Sequence, residues 1–380
     1  MATETRAAVP VEAIASGAGD VDRDGRFPAA AVAELARSGL LGLGLPEPYD
    51  GLAGGPLEVV GAVEQVAGAC ASTGMVFVMH LVAAQTLLAG TGDEDDGPKG
   101  QALGAIARGE HLSTLAYSER GSRGHFWAQV SRARETDGGV VIDADKTFAT
   151  SAGHADSYVL ATGAPGQNDP LRTELYLVDG DAPGLEVPAG FDGLGLRGNA
   201  SAPLRVRGLR VGADRRLGGP ASGFELMMTA TLPWFALGSA ACSVGIAQAA
   251  LDAACAHATG ASFEHLAGAA LADVPGVRAR LAQAHLRVRE ARALLHEVAR
   301  HVAEGDPAAQ LGVLAVKASA AEAAVEATDL ALRVGGGAAY ARRGPLERHF
   351  RDARAASVMA PTTEVLHDFL GKALCGQELF

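Results

Sequence analysis

Cysteine is scarce in this chain, and the four present form no pattern that carries chemistry. Cys70, Cys242, Cys255 and Cys375 are scattered through 380 residues, with no CxxC pair and no histidine at metal-ligand spacing. This excludes a disulfide framework and a metal centre, and it predicts reduced packing residues in a cytoplasmic protein. Positive charge is also short: 32 Lys and Arg against 44 Asp and Glu leave a formal charge of −12. Neither nucleic acid nor an anionic membrane is then expected as the main partner, although a local basic site for a phosphorylated ligand remains open. No apolar run approaches the ~20 residues that would span a bilayer. Met1 to Asp24 is rich in Ala, Gly and acid without an apolar core, so it is not expected to be a secretion signal. Aromatic residues make up only 5%, while alanine and glycine abound, so helices are expected to pack closely on small side chains. No tandem repeat and no extended low-complexity segment stands out.

What is present is 48% hydrophobic sequence, enough for two or three packed domains. From Pro28 to about Arg108 the pattern is helical. Val32, Leu35, Ala36 and Leu40 share one face, and Gly39, Gly42 and Gly44 end that helix. Val59, Val63, Val66 and Cys70 mark a second helix. Gly74 to Ala89 is apolar almost all round, which predicts a helix buried in the core or facing a ligand cavity, with His80 as a satisfied core histidine. Gly90 to Lys99, acidic and glycine-rich, is expected to be a surface loop.

Near Leu112 the pattern changes. Val140–Ile142, Tyr158–Leu160, Glu174–Val178 and Leu204–Val206 are short β-type runs punctuated by Asp137-Gly138-Gly139, Asp179-Gly180 and Gly212-Ala213-Asp214. They predict an antiparallel β domain. Arg205, Arg207, Arg210, Arg215 and Arg216 cluster there, read as a solvated sheet face, with a docking patch for an acidic carrier or CoA phosphates as the alternative. From Gly223 the chain is helical again. Val277, Leu281, Ala284, Val288, Ala291, Leu295, Val298 and Val302 alternate spacings of four and three, the narrow apolar seam of a bundle helix. The Ala-rich stretches Leu232–Ala258 and Val313–Val334 suit close packing beside it.

Four stretches together resemble the acyl-CoA dehydrogenase family. They are Leu41-Gly42-Leu43-Gly44-Leu45-Pro46-Glu47; Tyr117-Ser118-Glu119; Lys146 to Asp156; and Gly335-Gly336-Gly337 with His349 to Thr362. The resemblance runs from about Arg26 to the C-terminus. It implies an α+β fold with an N-terminal helical domain (1–110), a central antiparallel β domain (111–217) and a C-terminal four-helix bundle (218–380). It also implies FAD as cofactor, an acyl thioester on CoA or a carrier protein as substrate, and α,β-desaturation as the reaction. An electron-transfer flavoprotein or a flavin reductase is the implied redox partner, and the implied assembly is a homo-oligomer, dimer or tetramer.

Residue by residue, the resemblance puts flavin contacts at Tyr117, Ser118, Phe148, Thr150, Gly335, Gly336 and Thr362. Ser262 and Phe263 resemble a Thr-Phe pair that reaches FAD in a neighbouring subunit. Chemically, an isoalloxazine ring needs an apolar or aromatic wall and fixed donors at its edge, which Phe148 and Thr150 are suited to supply. The departures concern charge and protons. Gly260 and Leu332 stand where the family has pyrophosphate-binding Arg and Gln, and Gly124 stands where it has a Ser touching flavin and acyl chain.

The family's catalytic Glu, which removes the substrate's α-proton, is Ala360 here. A positioned carboxylate contributes ~10²–10⁴-fold to such a proton transfer, and alanine cannot supply it. Glu364, one turn on, is the candidate replacement, with helix capping or cofactor contact as the other reading. His367, His80 and Glu119 follow it. Leu232 to Leu237, where some members carry their base, has no carboxylate; Trp234 and Phe235 line the pocket or pack in the core. Three functions are therefore open: an acyl thioester dehydrogenase with a displaced or dispensable base, a flavin-dependent monooxygenase on the same fold, and a non-catalytic subunit.

Overall fold

A computed structural model describes residues 7–92, 96–266, 268–342 and 344–379. The chain opens with five helices, α1 (Val11–Asp24), α2 (Ala29–Arg37), α3 (Pro56–Ala69), α4 (Ala71–Thr91) and α5 (Pro98–Ala107). The first of these is additional to the sequence reading, which starts its helices at Pro28. Its apolar stripe is only Ile14, Ala18 and Val21, all buried, and tertiary contacts supply the rest of its stability. Gly39, at φ 72°, follows α2, as its position in the sequence suggested. The acidic loop expected over Gly90–Lys99 lies partly outside the described residues.

Eight strands follow: β1 (Ser113–Ala116), β2 (Arg134–Thr136), β3 (Gly139–Ala149), β4 (Ser157–Gly163), β5 (Thr173–Asp179), β6 (Leu185–Glu186), β7 (Ala202–Gly212) and β8 (Arg216–Leu217). They form two four-stranded sheets, β1-β4-β5-β8 and β2-β3-β7-β6. Ile142, Tyr158, Leu160, Tyr176, Val206 and Leu209 fill one cluster of this domain. Asp137-Gly138 is the two-residue turn joining β2 to β3, with Gly138 at φ 80°. One pair departs from the antiparallel expectation: β1 runs parallel to β4, Ser113 opposite Ser157. The long β2–β3 excursion between them is the crossover that a parallel pair requires. The arginine cluster is solvated at Arg205, Arg207 and Arg210, whereas Arg216 lies on β8 in the other sheet, half-buried 3.8 Å from Glu174. Arg205, Arg207 and Arg215 pair with Glu186, Asp145 and Asp179 at 3.1, 2.7 and 2.7 Å.

The C-terminal layer holds α6 (Gly223–Leu226), α7 (Leu232–Gly260), the short hairpin β9 (Ser262–Phe263) and β10 (Ala269–Ala270), α8 (Pro275–Glu304), α9 (Ala309–Tyr340), α10 (Pro345–Asp352), α11 (Ala355–Val358) and α12 (Thr363–Leu374). Along α8, Val277, Ala284, Val288, Ala291, Leu295 and Val298 are buried, as the spacing predicted. Helices α3 and α7 cross at glycines: a Cβ on Gly245 would stand 2.3 Å from the Glu64 carbonyl oxygen.

Two expectations need correction. Ala71–Thr91 and the continuous helix Gly223–Gly260 are long and apolar enough to cross a bilayer, but 83% of each apolar window is buried inside the fold. The hydroxyls and amides that interrupt them in sequence are absorbed by packing; Thr86 Oγ1, for example, bonds Val82 O at 2.8 Å. Secondly, only Cys70 and Cys242 are packing residues, whereas Cys255 and Cys375 are exposed.

Candidate active site

Between the β domain and the last helices lies a cavity of about 810 Å³, within the roughly 300–1,000 Å³ of sites that take cofactors or drug-sized ligands. Four stretches wall it: the β1 exit with its following loop (Tyr117–Gly124), the end of β3 (Thr147, Phe148, Thr150), the loop from Phe191 to Leu196 and the segment from Ala355 to Thr362. Met79, Leu115, Phe126, Phe235 and Met359 make its apolar surface, and Ser118, Thr150, Asn199, Ser201 and Thr231 bring polar atoms to it.

The backbone is unusual at this place. Of the eight non-glycine residues with positive φ among those described, Arg123, Phe148 and Leu196 line the cavity. Such geometry costs of order 1–3 kcal/mol per residue and gathers at functional sites. Its effect at Phe148, φ 55°, is to leave an aromatic ring 72% exposed at the cavity mouth. Thr150 Oγ1, 3.0 Å from Ser201 Oγ, stands nearby as an edge donor or acceptor. An exposed aromatic face, an apolar lining and hydroxyls at the rim fit a flat heteroaromatic cofactor.

Of the residues singled out in the sequence, Tyr117, Ser118, Phe148, Thr150, Thr362, Gly124, Phe235 and Ala360 line this one cavity. Tyr117 is buried, its hydroxyl 3.3 Å from Thr231 Oγ1; burial pushes its phenol up, so it stays protonated. Thr362 caps α12, its hydroxyl accepting from the Val365 amide at 3.5 Å.

The remaining predicted site residues lie elsewhere in the chain. Ser262 and Phe263 form β9 beyond the end of α7, outside the lining. Gly335 and Gly336 lie in α9, which kinks at Gly336 (φ 55°, ψ −144°); they too stay outside the lining. Trp234 packs against the core rather than on the cavity. Glu364 is exposed in the first turn of α12 and is not brought to the cavity, which corrects its candidacy as the base. Hydrogen bonds from its own amide and from Thr362 hold its carboxyl below the usual range, the behaviour of a capping group and the wrong direction for a proton acceptor. His80 is a core histidine: the Ser113 amide donates to Nδ1 at 3.0 Å, Nε2 donates to Leu41 O at 3.0 Å, and burial lowers its pKa to about 4.

Glu119 is the one carboxylate on the cavity wall among the described residues, and it is committed. Its Oε1 takes Lys146 Nζ at 2.7 Å and the Ser131 hydroxyl, and its Oε2 takes the amides of Val130 and Ser131 at 2.6 and 2.8 Å. Burial opposes the charge, but Lys146 and Ser131 more than offset this and hold Glu119 below its ordinary 4.5. It organises the wall and is not free to take a proton.

Arg351 and Asp352 lie inside the His349–Thr362 stretch, and the structure gives them a role. Arg351, on the cavity wall, bonds both oxygens of Asp22 at 2.8 and 2.6 Å, and Glu347 at 2.7 and 3.1 Å. It also donates to Leu194 O at 3.1 Å. Asp352 accepts the Leu196 amide at 2.7 Å, and burial pushes its pKa up to about 7. Together they tie helix α1 and the 194–196 wall to α10. Leu194 and Leu196 themselves carry no sequence signal of this role.

A helical layer, a two-sheet domain and a rear helical bundle thus surround one apolar, polar-edged cavity sized for a cofactor and a substrate. Residues 1–110 match the family model "Acyl-CoA dehydrogenase, N-terminal domain" and residues 221–375 match "Acyl-CoA dehydrogenase, C-terminal domain". The short-chain specific acyl-CoA dehydrogenase of Bos taurus mitochondria is 31% identical over 350 residues, 92% of this chain and 83% of that one. The probable acyl-CoA dehydrogenase YngJ of Bacillus subtilis is 29% identical, covering 93% and 91%. The butyryl-CoA dehydrogenase of Megasphaera elsdenii superimposes with a TM-score of 0.89 at 24% identity, covering 95% and 94%. The chain belongs to the acyl-CoA dehydrogenase family. It is a flavoprotein oxidoreductase acting on CH–CH bonds.

Proposed function

We propose that the 810 Å³ cavity holds the flavin beside Phe148 and Thr150 with an acyl thioester against the 355–362 wall, and that the chain dehydrogenates that thioester between its α- and β-carbons. The observation that carries this reading is the convergence of Tyr117, Ser118, Phe148, Thr150, Ala360 and Thr362 on one cavity from segments far apart in the chain. When bound, the flavin supplies the hydride acceptor. Phe148 offers the aromatic wall, while Ser118, Thr150 and Thr362 offer polar atoms that orient. Met79, Leu115, Phe126, Phe235 and Met359 keep water out and so strengthen each polar contact inside. Arg120, Arg123 and Arg354 face the same cavity and favour an anionic ligand such as a phosphopantetheine thioester, whether on CoA or on a carrier protein. Among the described residues no lining carboxylate is available for the α-proton, so the acceptor comes from solvent, from the substrate itself or from a partner. The acceptor of the electrons is an electron-transfer flavoprotein, a flavin reductase belonging instead to the second reading below, and the working assembly is a homo-oligomer.

A second reading rests on one specific observation. With residue 360 an alanine and Glu119 ion-paired, the described lining holds no free carboxylate, which suits a flavin-dependent monooxygenase because that reaction needs none there. The deciding experiment is anaerobic titration of the purified protein with acyl-CoA and acyl-carrier thioesters, followed in the visible flavin bands. Bleaching by thioester alone supports dehydrogenation. Flavin that is reduced only by an external reductase and then incorporates oxygen into product replaces it with the second reading.

A further inference from the structure

Lys317, in the third turn of α9, is 1% exposed and has no carboxylate partner among the described residues. Its ammonium donates to three main-chain carbonyls of one segment, Ala356 at 3.2 Å, Met359 at 3.0 Å and Pro361 at 2.8 Å. That segment is the cavity wall, since Ala355, Val358, Met359, Ala360 and Thr362 line it. Phe235, also on the lining, places its ring centroid 5.7 Å from the same nitrogen. A lysine ammonium has three donors, and here all three are used. Burying an ammonium is costly unless its donors are met, so the site is built around this contact. Charged groups on the neighbouring elements point elsewhere. Arg354 stacks over Phe350 at 4.0 Å, Glu322 pairs with His367 at 3.4 Å, and Glu364 is exposed.

We propose that Lys317 is a positioning residue of the active site: by clamping the carbonyls on both sides of Ala360, it sets where the 355–362 wall stands against bound flavin and thioester. This rests on the cavity reading given above. It differs from a packing role in one respect, its dependence on charge. Burial without a counter-ion lowers Lys317 to about 7. The neutral amine keeps two donors for three acceptors, so the clamp weakens as pH rises through that value.

The test compares wild type, Lys317→Met and Lys317→Arg as full-length protein. Hydrogen exchange of the Met359 and Leu366 amides is measured without flavin, and FAD affinity is measured by visible titration from about pH 6 to about pH 9. Lys317→Met is expected to speed exchange in this segment and to weaken FAD, each by at least about tenfold, leaving α8 protected. It should also abolish the wild-type pH dependence near 7. Lys317→Arg, which keeps its charge, should retain both clamp and affinity at the upper end of that range, where wild type has lost them. Unchanged exchange in Lys317→Met overturns the clamp. Faster exchange with wild-type FAD affinity and pH profile overturns its active-site role. Wild-type protein that takes up neither FAD nor FMN overturns the cavity reading and that role with it, while the exchange data still decide the clamp.

Discussion

The sharpest consequence of the structure concerns Glu119 and Lys146, whose side chains are 3% and 0% exposed. Lys146 Nζ contacts Glu119 Oε1 at 2.7 Å, Gln129 Oε1 at 2.8 Å and the carbonyls of Tyr117 and Ala161. Glu119→Gln keeps the shape but leaves the ammonium without its counter-charge. It also turns an NH₂ toward Lys146 or toward the Val130 and Ser131 amides, which are donors themselves. Breaking a buried pair from one side costs about 3–5 kcal/mol, whereas replacing both partners by neutral groups is often close to neutral. Glu119→Gln and Lys146→Met are each expected to lose about 3–5 kcal/mol in urea unfolding followed by circular dichroism, and the double variant should recover at least half of their summed loss. The pH sign follows from the depressed carboxyl. Its stabilisation is complete above its ordinary 4.5 and disappears as pH falls through the lower folded value, so Glu119→Gln should flatten the acid limb of the stability curve. A loss below about 1 kcal/mol in the single variant, or strict additivity in the double, refutes the argument.

Asp352, raised to about 7 against an ordinary 3.8, takes up a proton on folding between those values. Stability should therefore fall as pH rises from about 4 to about 7, and Asp352→Asn, which can still accept the Leu196 amide, should gain up to about 4 kcal/mol above pH 7 in thermal or urea melts. Gly245→Ala would drive a methyl to 2.3 Å from Glu64 O and 3.1 Å from Gly68 N, backbone atoms that cannot rotate aside; a loss of about 1–3 kcal/mol is expected by urea midpoint. Ala360→Glu restores a carboxylate to the cavity wall and should raise the anaerobic rate of flavin reduction by acyl thioester by about 10²-fold. An unchanged stopped-flow rate would show that proton removal does not depend on that position.

Much of the architecture is readable without coordinates because period and burial are linked along each element. The four-three alternation from Val277 to Val302 can only be satisfied by one buried stripe, and α8 buries most of it. The predominantly apolar α4 had to be enclosed, although its spanning-length hydrophobicity was underestimated. Helix α1 escaped notice because three small apolar residues give little signal on their own. The parallel β1–β4 pair escaped for a different reason: strand runs reveal an element, whereas direction depends on how the chain returns. In the site, short motifs pointed to Phe148, Thr150 and Thr362, yet the same kind of resemblance promoted Glu364, whose capping geometry turns it to solvent.

Local pattern alone determined the order of helices, strands and helices, and the family resemblance marked Ala360 as the position where a proton acceptor is missing. Those are properties of a residue and its near neighbours, and they survive being read in one dimension. The tertiary structure decided which charges are available. It placed Lys146 against Glu119 and Asp22 against Arg351, the latter pair separated by 329 positions. It also set Lys317 under the wall beside Ala360. Whether a carboxylate or an amine is free, paired or desolvated depends on atoms brought near it by folding, and no spacing along the chain encodes that distance.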